Sequence, residues 1–288
     1  MHVQTRGLLL VAGATFFWSL SGVFVRWLPS TDPWTFNAWR GLGMCLSLVV
    51  WTLLHYGGRG AATLFRQANP RAIVIAAGFF AIGSSAYIVA LKMASVAAVS
   101  CLGATSGLFA AVLARLWLGE RTRLVFYLAT MVALVGVAVI AFSERNASVS
   151  GFAGSMVALL MAICFAGQSV ALRRYSAQGM EPAMIVGGLS IFVLVSLFGT
   201  LAPVALSTIL LLFVMGTVQL SIPMVMYMRG ARHVPVTQMV LITMADAFLN
   251  PLWVWMVFGE LPAAGVFWGG ALILAAIAAT TLRASRPG

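Results

Sequence analysis

The chain has 288 residues, 62% apolar and only 8% charged, with a formal net charge of +11. A soluble domain carries roughly 25% charged residues, so water is not the solvent for most of this surface; its apolar runs of about twenty residues each match a hydrocarbon core of roughly 30 Å. The arginines stand singly or in pairs at the ends of those runs and form no basic stripe, which excludes a nucleic-acid surface and makes the lipid bilayer the partner of the bulk of the chain.

Taken in order, the first apolar run covers 7–27 after Arg6. It is too long for a signal peptide and lacks a small-x-small cleavage site, so it reads as a retained helix. Further spans are expected at 33–55, 70–92, 94–117, 123–142, 149–172, 181–203, 206–230, 234–257 and 263–282. Almost nothing polar marks the turns between the third and fourth and between the seventh and eighth. Gly103 and Gly107 give the fourth span a small-xxx-small face on which another helix can approach closely. Cys45, Cys101 and Cys164 lie inside apolar runs without metal-ligand spacing and read as small buried hydrophobes, so no metal or other cofactor is expected.

Alternate connections differ sharply in positive charge. One side collects Arg6, Arg59, Arg66, Arg71, Arg115, Arg121, Arg123, Arg173, Arg174, Arg229, Arg232, Arg283 and Arg286; the other has Arg26, Lys92 and Arg145. Thirteen against three places both termini in the cytoplasm of a bacterial-type inner membrane. Arg40 falls within a span, close enough to its outer end to be read as a snorkelling structural residue.

Sliding the chain by 140 residues aligns Tyr87 with Tyr227, Val96 with Val236, Lys92 with Arg232 and Gly119-Glu120 with Gly259-Glu260. A shift of 147 places Gly7 on Gly154, Val23 on Val170 and Arg26 on Arg173. The expected fold is therefore an all-α membrane protein of about ten transmembrane helices in two five-helix repeats, residues 1–145 and 146–288. Because five is odd, the second repeat enters the membrane inverted, a plan that places a transport site near the midplane.

Several short motifs carry a resemblance along the whole chain: Trp18-Ser19 in the first span, Pro33 and Ala38-Trp39-Arg40 in the second, and Tyr87 with Ala90-Leu91 in the third. Leu118-Gly119-Glu120, Asn250-Pro251 and Phe258-Gly259-Glu260 complete the set. The sequence resembles the EamA-type members of the drug/metabolite transporter (DMT) superfamily, and within it the YddG-type amino-acid exporters. It departs from them at Ala111, where the family often has proline. The resemblance implies a secondary transporter of small neutral amino acids or similar metabolites, aromatic ones included, working by alternating access through a central cavity.

A buried ionisable group costs roughly 2.5–3.5 kcal/mol on insertion scales, so each needs a reason. Thr243, Asp246 and Asn250 fall on one helical stripe that must face protein or water. Asp246 reads as a substrate-amine or proton-coupling site, or as a hydrogen-bonded packing element; its repeat counterpart is Ser106. In the eighth span Gln219, Pro223 and Tyr227 share a stripe, and the proline frees a carbonyl at a bend. Ser84 and Tyr87, Gln168, and Trp18 with Ser19 complete the candidate substrate-binding set, each with packing as the alternative. Glu120 and Glu260 follow glycines at helix ends and read as turn and capping residues.

His2, His55 and His233 all lie at span ends and no hydrolase or metalloprotease motif occurs, so an enzyme is not expected. No nucleotide-binding loop is present, leaving gradients as the energy source. The alternatives are a non-transporting receptor or assembly subunit and a DMT transporter of another metabolite or drug; oligomeric state is left open. Topology reporters are expected to read cytoplasm when fused after Gly288 or inserted near Gly57, and outside when inserted near Ala147; a periplasmic C-terminus would overturn the count of spans.

Overall fold

The computed structural model describes residues 3–28, 31–93, 99, 102–120, 123–143, 152–199, 201–259 and 264–284. Their longer helices are α1 (Val3–Ser19), α2 (Ser21–Trp27), α3 (Pro33–Gln67), α4 (Pro70–Met93), α5 (Ser106–Leu118), α6 (Leu124–Ser143) and α7 (Phe152–Arg174). After these come α8 (Glu181–Phe198), α9 (Leu206–Met215), α10 (Ile222–Gly230), α11 (Val236–Thr243), α12 (Asp246–Phe258) and α13 (Ala264–Ala284). Seven helical stretches are long and apolar enough to cross a membrane, and three shorter apolar ones, Leu102–Leu118, Leu124–Val139 and Phe267–Ala279, stand where other spans are expected. The chain is thus a multi-pass, all-helical protein among its described residues.

Two expectations about the elements need correction. The second span does not stop at 55: α3 runs on to Gln67 through a kink at Gly57, whose φ of 69° only glycine adopts cheaply. The stripe Thr243–Asp246–Asn250 is not continuous either, because Met244 and Ala245 interrupt the helix and bond back by three residues, to Leu241 and Ile242. A break of the same kind sits at Thr105, whose N–H donates to Leu102. Beyond these breaks α5 and α12 have equal length, start 140 residues apart, and end alike on left-handed glycines, Gly119 and Gly259.

The helices pack in a pattern related across the chain. α3 lies against α8, and α6 against α13; α4 packs on α7 as α1 packs on α10. Substituting each expected span by the one five places away maps these neighbours onto one another. At one end of the bundle, Arg173 bonds Glu120 Oε1 at 3.2 Å and the Ala231 carbonyl at 2.7 Å. Glu120 therefore holds a partner across helices, and not only a turn. Tyr56 donates to Glu181 at 3.0 Å, and Arg229 meets His55 at 3.1 Å. All these residues belong to connections that the arginine pattern puts on one side.

Backbone-to-backbone contact fixes α3. A Cβ on Gly41 would lie 2.9 Å from the Gly188 carbonyl oxygen of α8, and one on Gly188 would lie 2.7 Å from that of Gly41. Gly216 sits tighter still: a Cβ there would collide with the Arg40 carbonyl oxygen. With no hydrophobic drive between helices in lipid, such small-residue seams are what holds them together. Gly216→Val should therefore push the eighth span off α3, lowering the detergent melting temperature by several degrees and abolishing transport; an unchanged melting curve would show that the seam is not tight.

Candidate functional site

The site is built around Arg40, one residue before the first seam glycine. Asp32 caps the start of α3 by accepting from Thr35 N at 3.0 Å, and Pro33 occupies the first turn. Two turns later Gly41 and Gly43 are committed to α8 and to Phe213 of α9, so the Arg40 side chain stays inside the bundle. It is only 3% exposed, which corrects the snorkelling expectation.

Its guanidinium is met by neutral oxygens. One terminal nitrogen donates to Asn37 Oδ1 at 2.8 Å and Ser84 Oγ at 2.9 Å, and the other reaches Gln219 Oε1 at 3.4 Å. The Phe36 ring lies 5.9 Å away, and Nε is buried without a partner. Among the described residues no carboxylate pairs with this charge.

Gln219 reaches Arg40 from a π-helical segment, Gly216–Ser221, that lies just ahead of Pro223 in α10. The proline supplies no N–H, and the widened turn absorbs the missing bond. The amide of Gln219 also donates to the Trp18 carbonyl at 3.5 Å. The Trp18 ring stands 5.0 Å from the Tyr227 ring and 6.0 Å from that of Phe165, forming an aromatic wall beside the polar cluster. Tyr227 is 1% exposed and shares a 2.8 Å hydrogen bond with Ser169. Gln168, next to it, donates only to the sulfurs of Met184 and Met224, at 3.6 and 3.7 Å, and thioethers are weak acceptors.

Asp246 is the first residue of α12, at the break after Ala245. Its Oδ1 is buried without a hydrogen-bond partner. Tyr87, beside Ser21, sits within electrostatic reach of both Asp246 and Arg40. Asn250 is engaged elsewhere. Its Oδ1 accepts from Gly22 N at 3.1 Å and its Nδ2 donates to Ser21 Oγ at 3.0 Å, so it satisfies the exposed donors at the start of α2 from a distant helix. Thr243 bonds its own helix, donating to the Val240 carbonyl at 2.7 Å.

The fold thus brings Ser84, Gln219 and Tyr87 to Arg40, joins Trp18 and through it Tyr227 to that group by way of Gln219, and sets Asp246 within electrostatic reach of Tyr87. Thr243 and Asn250 serve the helix breaks. Arg40 as the centre and Asn37 as its nearest partner were not singled out from sequence, although an ionisable residue inside an apolar span is itself the signal. Gln238, fully buried with neither amide atom bonded, was also passed over. Among the described residues no group of three His, Cys, Asp or Glu side chains could hold a metal ion.

Residues 5–142 match the EamA-like transporter family. Pseudopaline exporter CntI from two strains of Pseudomonas aeruginosa is 27% identical to the chain over 278 residues, covering 94% of each protein. A solved crystal structure superposes with a TM-score of 0.84 over 98% of this chain and 99% of its own, at 20% identity, and so shares the fold. A helical membrane protein whose residues 5–142 carry the pattern of the EamA-like transporter family, and which over 94% of its length is similar to curated exporters, resembles membrane transporters and not enzymes.

Proposed function

We propose that the chain is a secondary exporter of small neutral or zwitterionic amino-acid-like metabolites, aromatic ones included, in a bacterial-type inner membrane. The observation that carries this reading is the presence of a buried cation, a half-buried carboxylate with one buried, unbonded oxygen, and an aromatic wall inside one packed bundle. Structural packing alone does not call for such a set, since each ion costs roughly 2.5–3.5 kcal/mol in a span. Residues 1–145 and 146–288 act as two inverted halves that rock about the cluster, with both termini cytoplasmic. The equal, 140-residue-offset helices α5 and α12 and the exchangeable packing neighbours support that arrangement. The curated relatives export pseudopaline, which favours, as the second reading, an exporter of another metabolite.

Efflux from proteoliposomes loaded with labelled amino acids, under imposed pH gradients, tests the reading. Transport of one or more neutral amino acids is expected; none across a broad panel, with protein present in the membrane, points to another metabolite. Asp246 separates mechanism from packing. Asp246→Asn keeps size and hydrogen bonding but removes the charge, so initial rates should fall at least tenfold, about 1.4 kcal/mol, with folding intact. Near-normal rates and an unchanged pH profile would remove Asp246 from the mechanism.

A further inference from the structure

Neutral partners leave the Arg40 charge undercompensated. Removing an ion from water costs several kcal/mol even after relaxation, while a hydrogen bond to a charged group returns roughly 1.5–3 kcal/mol. Arg40 makes two firm bonds, to Asn37 and Ser84, one long contact to Gln219, and leaves Nε unused. Asp246 likewise keeps one oxygen buried and unbonded. Two opposite charges that share Tyr87 as a neighbour would neutralise one another in a purely structural core. Here they do not form an ion pair, and each retains unused bonding capacity.

We propose that Arg40 is the anion pole of the substrate site, taking the carboxylate of the transported molecule in place of its long contact with Gln219, while Asp246 faces the positive pole. This rests on the reading of the cluster as the substrate site and names what the substrate must carry. Planar guanidinium donors fit a carboxylate with two parallel bonds. The contacts of Gln219, 3.4 Å to Arg40 and 3.5 Å to the Trp18 carbonyl, are the weakest around the charge. They lie on a π-helical turn, where displacement does not tear a regular helix. Asn37 and Ser84 hold the guanidinium in place while Gln219 gives way.

The test uses the full-length transporter in detergent and in liposomes. Its probes are matched pairs: neutral amino acids, 2-hydroxy acids and N-carboxyalkyl amino acids, each beside its primary amide. Carboxylates, and not their amides, should raise the melting temperature and be transported, with at least tenfold discrimination. Arg40→Gln should erase that discrimination, and Arg40→Lys, which keeps the charge without the fork, should fold and raise KM about tenfold. A merely structural arginine predicts lower stability in both variants with discrimination intact wherever the protein folds. If 2-hydroxy or N-carboxyalkyl acids act and amino acids do not, the amino-acid reading fails while the role of Arg40 stands. Amides that match their acids, an Arg40→Lys variant with unchanged KM, or no carboxylate that stabilises the protein would each overturn the proposal.

Discussion

The structure depends on the closeness of helix backbones around α3. Gly41 and Gly188 approach each other's carbonyl oxygens, Gly43 meets the backbone of Phe213, and Gly216 sits on the Arg40 carbonyl. In a bilayer no hydrophobic effect pulls helices together, so contact at this range is the cohesive term. It also does something specific. A long, charged side chain beside such a seam cannot follow its usual course to the membrane surface, because the helix that carries it is clamped on two sides. Arg40 is held inside by glycines that have no chemistry of their own.

Around that clamped charge, polar groups come from places where helices are interrupted. Gln219 comes from the π-helical turn, Asp246 from the break after Ala245, and Ser21 from the junction between α1 and α2. An interruption frees backbone donors and acceptors that lipid cannot satisfy. Some are repaired within the chain: Asn250 caps α2 at Gly22, and Trp253 donates to Ser19 at 2.7 Å. The repair brings α12 onto α1 and α2, which puts Asp246 next to Tyr87. Interrupted helices are therefore both the cost and the means of placing polar chemistry at depth.

Much of this was legible in the sequence because membrane solvation leaves a coarse signal. Apolar run length marked out the long apolar helices, and the shift of 140 residues set Asp246 on Ser106, the first residues of α12 and α5. What could not be read was anything set by close tertiary contact. The stripe drawn through Thr243, Asp246 and Asn250 assumed regular helical geometry across Met244 and Ala245, where no proline or glycine announces a break. Arg40 looked like a snorkelling residue because its distance from the span end allowed it, and only the seams on Gly188 and Gly216 forbid it. Trp18, Tyr227 and Gln219 were selectable from residue type, but their convergence depends on a π-helical turn that periodicity cannot show.

The two poles of the proposed site come from different halves of the chain. Asp246 has Ser106 as its counterpart at the 140-residue shift, and Arg40 has Gly187 at the 147-residue shift. The reciprocal Gly41–Gly188 contact agrees with the latter register, since two residues that touch each other's carbonyls sit where one half maps onto the other. Each half thus contributes one charge and lacks the other. If the halves rock as proposed, the separation between Arg40 and Asp246 changes with the conformational state. A dipolar ligand that spans both would then favour the state whose spacing fits it, and a ligand shifts a conformational equilibrium only through such a difference in affinity. A carboxylate without the amine would bind through Arg40 alone and shift that equilibrium by less, so the unequal placing of charge between the two halves supplies a physical route from recognition to movement.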